Sequence, residues 1–120
     1  MAQYHESAES LSAETREMHR ALRSLIEDLD AVDWYAQRID ASDDAELAAV
    51  LAHNRDEEKE HACMVLEWIR RHDAKFDEYL RQYLFRSGAI EEGESEDAPR
   101  TAPDGGTLGI GSLRAESPEA

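Results

Sequence analysis

The sequence predicts an all-α fold, an antiparallel two-helix hairpin followed by a short C-terminal helix. Three observations carry this. Apolar residues recur at steps of three and four from Leu11 to Ile39, with no Gly or Pro to interrupt them. The same periodicity resumes at Leu47 and continues to about His72. Between the two runs, Asp40-Ala41-Ser42-Asp43 breaks the pattern over about four residues, a connection short enough to force antiparallel packing.

Residues 1–10 are polar and are expected to form a flexible N-terminus in which Tyr4 and His5 are incidental. Ser12 is the expected N-cap of the first helix, with Glu14 in its first turn. The seam of that helix reads Leu11, Met18, Leu22, Leu25, Leu29, Val32, Ala36 and Ile39. Beside it runs a second stripe of Ala21, Asp28, Ala31 and Tyr35, whose small residues allow close approach of another helix. A third stripe, Glu27, Asp30 and Trp34, is acidic and ends in an aromatic; such a strip is ordinarily a solvated face.

Asp43 with Glu46 gives a start resembling a capping box for the second helix. After Asp73 a short third helix is expected, with Phe76, Tyr79, Leu80, Tyr83 and Leu84 on one apolar face that covers the hairpin or docks on a neighbouring subunit. The helical domain therefore spans 11–86. Residues 87–106 are rich in acid, Gly and Pro and read as a disordered linker. Residues 107–114 set Leu108, Ile110 and Leu113 among glycines, the pattern of a short docking peptide, and 115–120 complete the tail.

With 120 residues the chain holds one domain at most, small enough to depend on metal or on oligomerisation for its stability. Cys63 is the single cysteine, which excludes an internal disulfide and suits a packing residue in a reducing compartment. A net charge of −15 argues against nucleic acid and anionic membranes as partners and favours cations. The N-terminus lacks the basic and apolar regions of a signal peptide, and no apolar run is long enough to span a membrane. The expected location is cytoplasmic.

The chemistry lies in the second helix. Its seam reads Leu47, Leu51, Asn54, Glu58, His61, Val65, Trp68 and His72, apolar at both ends and polar for three positions in the middle. An unpaired buried carboxylate costs several kcal/mol, so something must compensate Glu58. Glu-x-x-His puts a carboxylate and an imidazole one turn apart on one side of a helix, the arrangement by which helical bundles hold iron or manganese. Loop length adds a third candidate: Asp28 falls nearly level with residue 55, and Glu58 lies only about 4 to 5 Å further along the axis.

A carboxylate-bridged two-metal site draws on four helices, and one hairpin supplies two long ones. Two copies related by a two-fold axis would bring together four carboxylates and two imidazoles. Empty, such a set repels itself until it takes up protons or a cation, which links dimerisation to metal. Oxygen and imidazole donors without thiolate suit Fe, Mn or Zn. With iron, the chemical step is oxidation of Fe(II) to Fe(III) by dioxygen, with Tyr35 nearby as a hydrogen-bond donor or redox-active ring.

Three stretches carry a family resemblance: Ala31-Val32-Asp33-Trp34-Tyr35, the run from His53 to His61, and Tyr83-Leu84-Phe85. They resemble the encapsulated ferritins, and 108–114 is similar to the peptide by which cargo docks inside encapsulin shells. The resemblance implies a ferritin-like four-helix bundle formed on dimerisation, with a di-iron ferroxidase centre between subunits and a ring-shaped decamer inside an encapsulin nanocompartment that stores the iron mineral. It places Glu58 and His61 on the ferroxidase ligands, Tyr35 on the tyrosine beside the centre, and Glu27, Asp30 and Trp34 where metal enters. Position 28 is Asp where the family has a Glu ligand, and Asp30 likewise replaces Glu. One methylene shorter, Asp28 is expected to bind less closely or through water.

The competing reading is a non-catalytic helical-hairpin cargo or adaptor whose Glu58 and His61 pair with basic residues across an interface. An enzyme of rubrerythrin or hemerythrin type needs more helices than this chain has. His19 and His72 are expected at the surface or in C-terminal capping, His53 as a second-shell partner, and Arg55 and Lys59 in i, i+4 surface pairs.

Overall fold

The computed structural model describes residues 4–94. Within them the order of elements is a 3-10 turn Ala8–Ser10, helix α1 Ala13–Ala41, helix α2 Ala45–His72, helix α3 Ala74–Tyr83 and a second 3-10 turn Ile90–Glu94. The described residues contain no strand, so the all-α expectation holds. None of their helices is long and apolar enough to cross a membrane.

Local chemistry sets the helix ends. The Ser12 hydroxyl accepts the Thr15 amide at 3.1 Å, satisfying one orphan donor of the first turn of α1. The loop is 42–44, and its last residue, Asp44 rather than Asp43, caps α2 by accepting the Leu47 amide at 3.0 Å. The reason is the Ser42 hydroxyl, which accepts the Asp44 amide at 3.1 Å and turns the chain one residue later than the capping-box pattern suggests. At the far end of α2, the His72 Nδ1–H donates to the Trp68 carbonyl at 2.8 Å and its ring stacks on Trp68 with centroids 3.9 Å apart. This satisfies one of the last carbonyls of the helix, the capping role expected of His72.

The hairpin of α1 and α2 belongs to the unit Met1–Ala74. Its seam differs from the sequence reading by a rotation of about one residue. On α2 the buried residues are Ala62 and Ile69, the latter completely, whereas Leu47, His61, Trp68 and His72 are exposed. On α1 the half-buried arc takes in both predicted stripes, with Leu25, Asp28, Val32, Tyr35 and Ala36 inside, while Leu29 is exposed. The physical reason is the size of the facing residues: Ala62 lets the backbones approach, and the seam centres on it. Large residues are exposed along one flank of α2 in two groups stepped by three or four, Leu47 with Val50, and His61 with Met64 and Trp68.

Of residues 4–10, expected to be loose, Tyr4 packs against α1 and 5–10 are exposed. The Tyr4 ring meets the His19 ring edge-on at 4.8 Å, and Leu11, Arg16 and His19 are half-buried. His19 is therefore a packing residue rather than a surface one. Arg23 Nε on the same helix is buried without a hydrogen-bond partner.

The last turn of α2 carries the strongest charge cluster. Glu67 accepts both Arg70 Nε and Nη2 at 2.8 Å and Arg71 Nε at 2.7 Å. Hydrogen bonds from Arg70, then Arg71, lower the Glu67 carboxyl to about 2. Because its folded value lies below the unfolded one, the stability it contributes is present above about 4.5 and is lost as pH falls towards about 2. Glu67→Gln should accordingly lower the urea midpoint at pH 7. The gap to wild type should close between pH 4.5 and 2 and shrink with added salt, since the carboxylate is solvated; a gap constant across that range would assign the loss to packing.

The second unit begins at Lys75 and contains nearly all of α3. Lys75 pairs with Glu78 at 3.0 Å, and Arg81 with Asp77 at 2.9 Å. Phe76, Tyr79 and Leu84 are exposed in it, whereas Leu80 and Tyr83 of the same predicted face are half-buried. The described part of the predicted linker, 87–94, includes the 3-10 turn Ile90–Glu94. The remainder of the linker, the predicted docking peptide 107–114 and the tail 115–120 lie outside the described residues.

Candidate metal centre

Midway along the hairpin, α1 contributes Asp28 and α2 contributes Glu58 and His61. The carboxylate oxygens of Asp28 and Glu58 and a ring nitrogen of His61 all lie within 4.8 Å of one another. Among the described residues this is the one group of three such side chains placed to hold a metal ion. Asp28 and Glu58 are half-buried on facing sides of the seam, while His61, one turn on, is on the exposed flank of α2. Equal progress along two antiparallel helices from a short loop brings Asp28 level with Glu58, and the i, i+3 spacing puts His61 on the same side of α2 about one turn further along.

The electrostatics fit a cation. His61 Nδ1 lies 3.4 Å from Glu58 Oε1. The Asp28 carboxyl is pushed above its usual range, first by burial, then by the nearby Glu58 charge and a hydrogen bond shared with it; His61 opposes the shift. Two carboxylates thus share a space where both ionise only at a cost, and a positive ion removes that cost. The donor set, two carboxylates and one imidazole without thiolate, matches hard to borderline divalent ions such as Fe, Mn or Zn. With one donor atom from each residue it fills three coordination positions, and its most exposed donor is on the open side.

The remaining predicted residues are placed as follows. Tyr35 is half-buried on α1, two turns beyond Asp28, with the Arg38 guanidinium 5.4 Å from its ring centroid. Glu27, Asp30 and Trp34 are exposed and do not join the trio, although the Glu27 charge adds to the rise at Asp28. His53, expected as a second-shell partner, instead has its Nε2 3.1 Å from Glu57 Oε2. Sequence reasoning missed that pair, although its i, i+4 spacing was the available signal. Arg55 pairs with the adjacent Asp56 at 3.2 Å, and Lys59 reaches the same carboxylate at 3.7 Å, so neither makes the expected i, i+4 pair.

Comparison with known proteins agrees with this architecture. Residues 3–87 match the EncFtn-like family. The chain is 57% identical over 124 residues to an encapsulated ferritin-like protein of Rhodospirillum rubrum, covering 94% of this chain and 89% of that one. It is 47% identical over 111 residues to a ferritin-like protein of Thermotoga maritima, covering 92% and 97%. An encapsulin nanocompartment cargo protein of Myxococcus xanthus is 37% identical over 83 residues, covering 68% of this chain and 64% of that one. A crystal structure of a protein from Nitrosomonas europaea superposes with a TM-score of 0.72 at 60% identity, covering 74% of this chain and 98% of that one. A hairpin with this trio at its middle, alike to these relatives over most of their length, belongs to the EncFtn-like family of encapsulated ferritin-like proteins.

Proposed function

We propose that the chain is a ferroxidase, which takes Fe(II) as substrate and passes its electrons to dioxygen, leaving Fe(III) for mineral storage inside an encapsulin nanocompartment. The observation that carries the reading is the convergence of Asp28, Glu58 and His61 within 4.8 Å on a hairpin whose site is open on the His61 side. Three donors from one chain half-complete a two-metal centre. A second hairpin set against the exposed flank of α2 would add the other three and make a four-helix bundle. Such dimers are read as the units of a larger ring, a decamer.

Each residue has a role in that reading. Asp28 and Glu58 supply hard oxygen donors, and a cation between them relieves their mutual repulsion. His61 supplies a neutral imidazole and reaches towards the partner hairpin. Tyr35, two turns along the same seam, is assigned to hydrogen bonding or electron transfer beside the centre. Glu27 and Asp30, exposed on α1 with Trp34, are assigned to drawing metal towards it. The direct test is the initial rate of Fe(II) oxidation in air against a protein-free control; equal rates would leave the hairpin as a cargo scaffold or adaptor.

Location inside a shell rests on the relatives named as encapsulated or as encapsulin cargo and on the pattern of 107–114. Co-expressed with an encapsulin shell protein, the full chain should co-purify within assembled shells, and a chain lacking 107–120 should be lost from them to background. Equal loading of both would refute the docking role of the peptide while leaving the oxidation chemistry untouched.

A further inference from the structure

Residues 84–94 follow the last turn of α3 and reverse the chain. Phe85 has φ 59° and Gly88 φ 89°, two left-handed positions three residues apart. Glycine adopts that conformation freely, whereas a bulky aromatic resists it. Phe85 is nevertheless 79% exposed, so contacts of its own side chain do not hold it there.

Further along the path lies the 3-10 turn Ile90–Glu94. Ile90, Glu91 and Glu92 are exposed, whereas Gly93 is buried. A Cβ at position 93 would lie 2.7 Å from Tyr83 Cδ1, 3.0 Å from Tyr83 Cε1 and 3.4 Å from the Gln82 carbonyl oxygen. The backbone of Gly93 therefore rests against the ring of Tyr83, the last residue of α3, leaving no room for a side chain. Hydrogen bonds from the Leu84 amide to the Leu80 carbonyl at 2.9 Å and from the Glu92 amide to the Ala89 carbonyl at 3.1 Å hold the two ends of the reversal.

We propose that 84–94 is a latch, closed by Gly93 on Tyr83, which fixes the point at which the C-terminal tail leaves the α3 unit. Its use, though not its existence, rests on the reading of 107–114 as a docking peptide. With the latch closed, the run of chain between the last held residue and that peptide is 95–106; with it open, the run is 85–106. The latch thereby sets how far from its own domain the peptide engages a shell.

Trypsin reports the latch directly in the full-length chain, because Arg86 lies within it, Arg100 beyond it and Arg81 inside α3. In the wild type, cleavage after Arg86 should be slower than after Arg100. Gly93→Ala should raise the rate after Arg86 about tenfold, since cleavage follows the population of the open form, with the rates after Arg100 and Arg81 unchanged. Tyr83→Ala should do the same, and Gly93→Ala added to it should have no further effect. Unchanged cleavage after Arg86 in both single variants overturns the latch. So does an equal effect of Gly93→Ala with and without Tyr83, because the ring would then not be its seat. No shell takes part, so this failure is separate from that of the docking peptide.

Discussion

Replacing Glu58 and His61 together by alanine should reduce the initial rate of Fe(II) oxidation in air to that of a protein-free control. The variant leaves Asp28 as the last member of the trio, and one carboxylate cannot hold a ferrous ion against water. The fold should survive, because neither residue is packed in the core: Glu58 is half-buried and His61 is exposed. A second measurement separates lost chemistry from lost structure. Glu58 is among the causes that lift the Asp28 carboxyl, so its removal relieves a repulsion in the empty site. The metal-free double variant should therefore melt at or above the wild-type temperature while being inactive, the opposing trend expected at a functional site. A variant that oxidises iron at the wild-type rate would move the chemistry elsewhere. One that unfolds would make the trio structural.

The second large effect is on assembly. Stripped of metal by a chelator, the chain should shift towards monomer in sedimentation, and Fe(II) or Mn(II) should restore the dimer with at least about a tenfold gain in affinity, about 1.4 kcal/mol. Two contributions act at the same face. The exposed row Leu47, Val50, Met64 and Trp68 offers apolar area, and burying such a side chain fully is worth about 1.5 to 3 kcal/mol. Through that row passes His61, and in the proposed pairing the two carboxylates of each trio would face like charge. Apolar burial draws the copies together, and empty sites push them apart until a cation enters. Metal-independent dimers would show the apolar term dominating alone. In the Glu58→Ala, His61→Ala variant the response to metal should vanish although the apolar row is intact.

Much of this was legible from residue types and spacing. Loop length put Asp28 level with residue 55, within one turn of Glu58, because two helices leaving a short turn advance at the same rise; the loop at 42–44 brings it the rest of the way. The trio needed no knowledge of side-chain packing. The rotation of the seam did need it. Ala62 and Ile69 carry the inner contact, whereas the periodicity favoured His61 and Trp68, since a hairpin that also packs outwards has an apolar arc too broad to show its centre. Burial by distant chain segments was equally hidden. Tyr4 on His19 joins residues 15 apart, and Gly93 on Tyr83 joins residues 10 apart, contacts that no helical or strand period encodes. At position 28 the Asp brings an oxygen within 4.8 Å of donor atoms of Glu58 and His61.

The position of the trio along the rod has a kinetic consequence. α1 and α2 have 29 and 28 residues, and Asp28 and Glu58 are the sixteenth and fourteenth of them. Each is therefore about 20 Å from either end of a helix about 43 Å long. Helix ends open and close continually, whereas the middle opens only when most of the element does. An ion gripped there is insulated from fraying, and its escape by backbone motion has to wait for rare, nearly global excursions. Backbone opening is thus a minor route of loss beside the exposed His61 side, and the slowest-exchanging amides should cluster around these residues.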